Sequence, residues 1–259
     1  MSSDRTALIR RPGPRLADGL VTHIERVAID EQLAERQWLD YISAIQSEGW
    51  DLVEVPPADD CPDAVFVEDS VVVFGGLAVI TRPGAESRRG EIVATEKIID
   101  ELGLSANHIV PPGTLDGGDV LKVGNTVYVG RGGRTNADGI RQLRRMLQPL
   151  GLRVIAVPLT KVLHLKSAVT ALPDGTIVGY APLVDDPAIF SHFFAVPEES
   201  GAHVVCLSEE HLLMAADCPM TVAAFEDRGY RVTTVDISEF QKLEGCVTCL
   251  SVRLRVPVG

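Results

Sequence analysis

The clearest alternation of apolar and polar positions lies between residues 119 and 157. Two strand-like runs, Asp119 to Val123 and Thr126 to Val129, flank Gly124-Asn125, a two-residue hairpin signal. Asn136 then reads as the cap of a helix. Its apolar positions, Ile140, Leu143, Leu147 and Leu150, recur at helical spacing and stop before Gly151. A further strand-like run, Leu152 to Val157, follows. The unit is strand, strand, helix, strand.

The same order recurs along the chain. Val71 to Phe74 and Leu77 to Thr81 precede a helix near Glu91 to Leu102 and a strand at Ile109. Ser167 to Leu172 and Thr176 to Tyr180 flank Pro173-Asp174-Gly175, before a helix near Pro187 and a strand near Val204. Leu212 to Ala215 leads into a helix near Pro219 to Arg228 and the strand Tyr230 to Val235. The N-terminal part supplies Thr6 to Ile9, a helix at Gln32 to Ser47, and Asp51 to Val55. A last strand, Thr248 to Val256, has no helix after it. The pattern is α/β, and five such units close into a ring if the C-terminal strand completes the first one.

Composition narrows the partners. Of 259 residues 46% are hydrophobic, enough for a large core, and the whole of 1–259 reads as one domain without a low-complexity linker. With 36 acidic against 24 basic side chains, the net charge is −12, unsuited to nucleic acid or to an anionic membrane. The longest apolar run, Val71 to Ile80, is broken at Gly75-Gly76 and falls far short of a membrane span. Met1 to Arg15 is polar and Pro-rich, without the apolar core of a signal peptide. Five sparse cysteines (Cys61, Cys206, Cys218, Cys246, Cys249) point to reduced thiols and a cytoplasmic protein. No unpaired apolar element identifies a partner surface, so a monomer or a homodimer is expected.

Candidate chemistry is scattered through the units. Cys249 opens the last strand and forms Cys-x-x-Cys with Cys246. Zinc would need a second ligand pair, and a redox motif of the thioredoxin type would precede a helix rather than a strand. His164 sits in Leu163-His164-Leu165-Lys166, where a hydrogen-bonded core histidine is the plain alternative. The six histidines show no metal-ligand spacing. Two acidic motifs stand out, Pro62-Asp63-Ala64-Val65-Phe66-Val67-Glu68-Asp69 and Leu115-Asp116-Gly117-Gly118-Asp119, although Asp-Gly serves a turn equally well. Arginines cluster at Arg82 to Arg89 and at Arg131 to Arg134. Brought together, these groups suit a small molecule with a cation at one end and a carboxylate at the other. Spacing alone leaves their convergence open.

Taken in order, Pro62 to Asp69, Thr81 to Glu91, Leu115 to Leu121, Arg134-Thr135-Asn136, His164-Leu165-Lys166 and Thr248-Cys249 resemble the dimethylarginine dimethylaminohydrolases. The resemblance runs from Leu8 to the last strand. It implies the pentein α/β propeller, five ββαβ modules around a pseudo-fivefold axis, and hydrolysis of Nω-methylated arginines to citrulline and a methylamine, with no cofactor. It also implies Cys249 as nucleophile, His164 as general acid and base, and Asp116 as the carboxylate orienting His164. Glu68 and Asp69 would lie at the guanidinium, and Arg88 and Arg134 on the substrate carboxylate. Asp63, Leu20 and Leu243 would lie near the α-amino end, with Phe66 and Glu244 also lining the site. Leu20 belongs to a loop that closes over substrate in the family. Cys246 departs from the family pattern at its position, leaving an inert thiol or an oxidation partner for Cys249. The rivals are an arginine or agmatine deiminase on the same fold and, from another class, a non-enzymatic Cys-x-x-Cys zinc or redox protein.

Overall fold

A computed structural model of the chain describes residues 5–255. Its first unit begins with β1 (Thr6–Ile9), α1 (Glu31–Ser47) and β2 (Asp51–Glu54). The second runs β3 (Val71–Phe74), β4 (Leu77–Ile80), α2 (Ile92–Glu101) and β5 (Ser105–His108). The third is β6 (Val120–Val123), β7 (Thr126–Arg131), α3 (Ala137–Leu147) and β8 (Arg153–Pro158). The fourth is β9 (Val169–Ala171), β10 (Ile177–Gly179) and β11 (Phe193–Ala195). The fifth is β12 (Val205–Cys206), β13 (His211–Ala215), α4 (Pro219–Glu226) and β14 (Arg231–Val235), followed by the short α5 (Ser238–Gln241) and β15 (Ser251–Leu254).

The strands form five three-stranded sheets, and in each the middle strand is antiparallel to one neighbour and parallel to the other. β15 pairs with β1, with Thr6 opposite Leu254 and Ile9 opposite Ser251, so the C-terminal strand completes the first sheet. Side chains alternate across a strand, so every sheet has two apolar faces to cover. In β3, Val71 and Val73 pack with Leu8 and Val252 of the first sheet, whereas Val72 and Phe74 pack with Val120 and Val127 of the third. Further clusters join the third sheet to the fourth, the fourth to the fifth, and the fifth back to the first. Each sheet is a wedge between two neighbours, and the ring is closed by burial on both faces. Its first strands surround a central cavity of about 670 Å³.

Local chemistry starts and stops the helices where the periodicity predicts. The Asn136 side chain accepts from the Gly139 N–H at 2.8 Å, and Ile140, Leu143 and Leu147 turn inward, whereas Leu150 falls in a 3-10 turn beyond the helix and is exposed. Gly151 takes a left-handed φ of 70°, which ends the helical region. In α1 the Asp30 cap accepts from Leu33, and Ala34, Trp38, Tyr41 and Ile45 form the buried stripe.

The fourth unit departs from expectation. The helix near Pro187 is a single 3-10 turn, Pro187–Ile189, because Pro182, Pro187 and Pro197 break a stretch that has no helical apolar stripe. The strand near Val204 belongs to the fifth unit, where Val205 pairs antiparallel with Leu213; β11 closes the fourth sheet instead. β5 ends at His108, and the buried Ile109 follows it with its N–H on the Ile80 carbonyl at 3.0 Å. Val256, the expected end of the last strand, lies outside the described residues.

Candidate active site

A short turn precedes the first strand of each unit: Val67–Ser70 before β3, Gly117–Asp119 before β6, Leu165–Ser167 before β9, Ser200–Ala202 before β12, and the Cys246 to Cys249 turn before β15. The ring gathers these turns at one end of the cavity. Asp69, Asp116, His164 and Cys249, drawn from four units, are thereby brought together, and each is less than one-tenth exposed.

The imidazole is the hub. His164 Nε2 lies 3.0 Å from Asp116 Oδ2, and its Nδ1 lies 3.8 Å from Asp69 Oδ1. Burial alone would lower its pKa, but the charge of Asp69, the hydrogen bond to Asp116 and the charge of Asp119 outweigh it, raising it to about 9. The surrounding carboxylates therefore favour the protonated form of His164. Asp69 is buried too, which by itself would raise it. The charges of His164 and Arg88, with hydrogen bonds from Arg88 and the Gly118 N–H, hold it well below the ordinary carboxylate range instead. Asp116 Oδ1 accepts from the Gly84 N–H at 2.8 Å, which fixes its rotamer. Asp119 accepts the Leu165 N–H at 2.9 Å and so holds the segment carrying His164.

Cys249 is a free thiol, and its carbonyl accepts the Glu68 N–H at 3.2 Å. Its Sγ lies 3.4 Å from that of Cys246. This sulfur hydrogen bond and burial, followed by the charges of Cys246, Glu68 and Asp69, push the Cys249 thiol up. A cation placed against those carboxylates would reverse that last contribution.

Glu68 was expected at the guanidinium. Its carboxylate accepts from Lys166 Nζ at 2.5 Å and from the Thr248 hydroxyl at 3.0 Å. These three side chains line the central cavity, so together they form a floor between the turns and that cavity. Of the two arginines expected on a carboxylate, Arg88 is largely committed. Nε and Nη2 bind Glu91, Nη2 also reaches the carbonyls of Asp63 and Phe66, and Nη1 binds Asp69 at 2.6 Å, leaving one Nη1 N–H. Among the described residues Arg134 makes only a 3.5 Å contact with Asp116 and keeps most of its donors.

On the outer side, Asp63 accepts the Leu20 N–H at 2.9 Å, and the Leu243 side chain stands beside Gly19. Glu244, with an unusual φ of 61°, accepts from the Thr22 N–H and hydroxyl and from the His23 N–H, so its carboxylate ties down that loop. The Phe66 ring packs edge-on against Phe240, 6.3 Å away. Motif reading had not assigned roles to Lys166, Thr248, Glu91, Asp119 or the N–H groups of Gly84 and Gly118. Their shared signal is position, next to a first strand or inside the arginine motif. Asp69, Asp116 and His164 also present atoms within 4.8 Å of one another, and Arg88 pairs with Asp69 in that group.

Comparison with known proteins extends this picture. The arginine deiminase family profile matches residues 53–211. The N(G),N(G)-dimethylarginine dimethylaminohydrolase of Streptomyces coelicolor is 62% identical over 251 residues, 97% of either chain. The chain belongs to the dimethylarginine dimethylaminohydrolase family. The Pseudomonas aeruginosa dimethylarginine dimethylaminohydrolase is 38% identical over 95% of this chain and 98% of its own. A solved structure of that protein, a cysteine-to-serine variant complexed with citrulline, aligns with a TM-score of 0.89 at 37% identity, covering 96% of this chain and 98% of that one. The N-terminal domain of the cyanobacterial arginine dihydrolase ArgZ shares the pentein fold, with a TM-score of 0.86 at 19% identity over 98% of this chain and 100% of that one.

Proposed function

We propose that this dimethylarginine dimethylaminohydrolase family member hydrolyses Nω,Nω-dimethyl-L-arginine and Nω-monomethyl-L-arginine to L-citrulline and the corresponding methylamine. The observation that carries the reading is a buried imidazole held between two carboxylates at the ring end that also holds a free thiol. The whole chain, 1–259, serves as one catalytic domain acting on a small molecule in the cytoplasm.

A guanidinium is resonance-stabilised and permanently cationic, so water attacks its central carbon poorly. Asp69 and Asp116 hold the cation by charge-assisted hydrogen bonds and fix the carbon against the sulfur. The cation also offsets the carboxylate charges that push the Cys249 thiol up, favouring its thiolate only when substrate is present. The Cys249 thiol gives its proton to solvent as the thiolate forms, Sγ attacks the carbon, and the His164 proton passes to the departing amine as the C–N bond breaks. The neutral imidazole then takes a proton from water, whose oxygen attacks the S-alkylthiouronium carbon. The proton of the adduct's hydroxyl passes to the sulfur as the C–S bond breaks, so citrulline leaves and the thiol is restored. At the other end Arg134 binds the α-carboxylate through its free fork and Arg88 adds one N–H. Asp63 and the carbonyls of the Leu20 and Leu243 segments receive the α-ammonium.

The arginine deiminase profile keeps plain arginine as the competing substrate. Ureido product is measured with asymmetric dimethylarginine, monomethylarginine, arginine and agmatine. Turnover of the two methylated substrates, lost in Cys249→Ser, is expected. Preferential turnover of arginine or agmatine, or normal activity in the serine variant, overturns the reading.

A further inference from the structure

Cys246 takes no part in the reaction above, yet its sulfur stands beside that of the nucleophile. The Cys249 N–H bonds to the Cys246 carbonyl at 3.0 Å, so the two cysteines occupy the ends of one tight turn. Such a turn brings their α-carbons into the range a disulfide spans, about 4.4–6.8 Å. The sulfurs stand 3.4 Å apart, and an S–S bond requires them to close to ~2.05 Å. The Thr248 hydroxyl, 3.3 Å from Cys246 Sγ, holds that sulfur in place. Cys246 also lines a cavity of about 560 Å³, together with His23, Leu163, His203 and Glu244. A small oxidant in this cavity meets Cys246 directly. The sulfur hydrogen bond, opposed by burial but aided by the nearby His203, draws the Cys246 thiol below the ordinary range.

We propose that Cys246 and Cys249 form a peroxide-reactive dithiol, a reversible modification site that closes to a disulfide and switches the enzyme off. The Cys246 thiolate attacks one peroxide oxygen, the O–O bond breaks, and hydroxide leaves, giving a sulfenic acid. Cys249 Sγ then attacks the Cys246 sulfur. The S–O bond breaks and its hydroxyl leaves as water with the proton of Cys249, while the proton that Cys246 gave up on ionising neutralises the first hydroxide. Two thiols and one peroxide become one disulfide and two waters. The disulfide removes the nucleophile and shields it from sulfinic and sulfonic acids, and a dithiol reductant restores both thiols. The loss of activity rests on Cys249 being the nucleophile; the disulfide itself does not.

The wild-type protein is treated with hydrogen peroxide, blocked with iodoacetamide and digested with trypsin. The peptide Leu243 to Arg253 contains both cysteines and no other. It is expected to be two hydrogens lighter and unalkylated, and dithiothreitol is expected to restore turnover of methylarginine. Cys246→Ala and Cys246→Ser are assayed at the same peroxide excess, each against its own untreated activity. Both are expected to lose turnover that dithiothreitol does not return, with oxygen added to Cys249. Sulfinic or sulfonic Cys249 beside an alkylatable Cys246 in the wild type overturns the proposal, as does equal recovery in the variants. A disulfide that leaves turnover intact overturns the switch and the nucleophile assignment together, while leaving the disulfide site standing.

Discussion

Replacing Asp116 with Asn removes one of the charges that hold His164 as a cation. The imidazole is raised from 6.5 to about 9, a differential interaction of about 3 kcal/mol at ~1.36 kcal/mol per unit. Burial opposes this shift, and Asp69 contributes ahead of the Asp116 hydrogen bond, so Asp116 accounts for part of it. An adjacent opposite charge moves a pKa by about 1–3 units, which takes His164 in Asp116→Asn to roughly 8 or lower. The direct assay is NMR titration of the His164 ring in Cys249→Ser, with and without Asp116→Asn. The alkaline fall of kcat/KM should move to lower pH by a similar amount, since fewer molecules then carry the proton for the leaving amine. A stability effect with a definite sign accompanies it. Because the folded pKa lies above the unfolded one, the His164 contribution is full below about 6.5 and is lost as pH rises through about 9, and the variant loses less over that window. A His164 titration that stays near 9 in Asp116→Asn, or rises, would refute the account.

Three further outcomes are expected. In Arg134→Gln, loss of the free fork should cut kcat/KM for monomethylarginine by about 30- to 150-fold, as for ~2–3 kcal/mol of charge-assisted hydrogen bonding. Any residual turnover of agmatine, which has no carboxylate, should change little, and an equal fall for both would place Arg134 on the Asp116 side of the chemistry. Glu244→Ala frees the Thr22 and His23 backbone and should raise KM by about tenfold, the scale of one net charged hydrogen bond, while speeding limited proteolysis in that loop; unchanged proteolysis contradicts the anchoring role. In Gly84→Ala the new Cβ would stand 2.3 Å from the Arg134 carbonyl oxygen, backbone that cannot swing aside. Overpacking of about 2 kcal/mol should lower Tm by roughly 4–8 °C, and a wild-type melting curve would count against so tight an approach.

Much of this protein is encoded locally. Gly124-Asn125 dictates its hairpin, Asn136 and Gly151 bracket α3, and a period of two along β3 sends alternate valines to two different neighbours. Those signals act over a few residues and survive without knowledge of the rest of the chain. The fourth unit was less legible, because its proline-broken connection carries no periodicity, so β11 was missed and β12 was assigned to the wrong sheet. Cys249, His164, Asp69 and Asp116 were legible as residue types beside first strands, and through the family likeness of their motifs. Their partnerships were not legible from spacing, and only the likeness implied that of Asp116 with His164. The contact of His164 with Asp116 spans 48 positions, that of Lys166 with Glu68 spans 98, and that of Thr248 with Glu68 spans 180. Nothing in local spacing says that Arg88 spends its donors on Glu91 and Asp69 while Arg134 keeps its own, or that Glu68 faces the central floor. Ring closure decides these, because burial of both faces of five wedges fixes how the turns meet, and each buried charge then takes the partner it meets there.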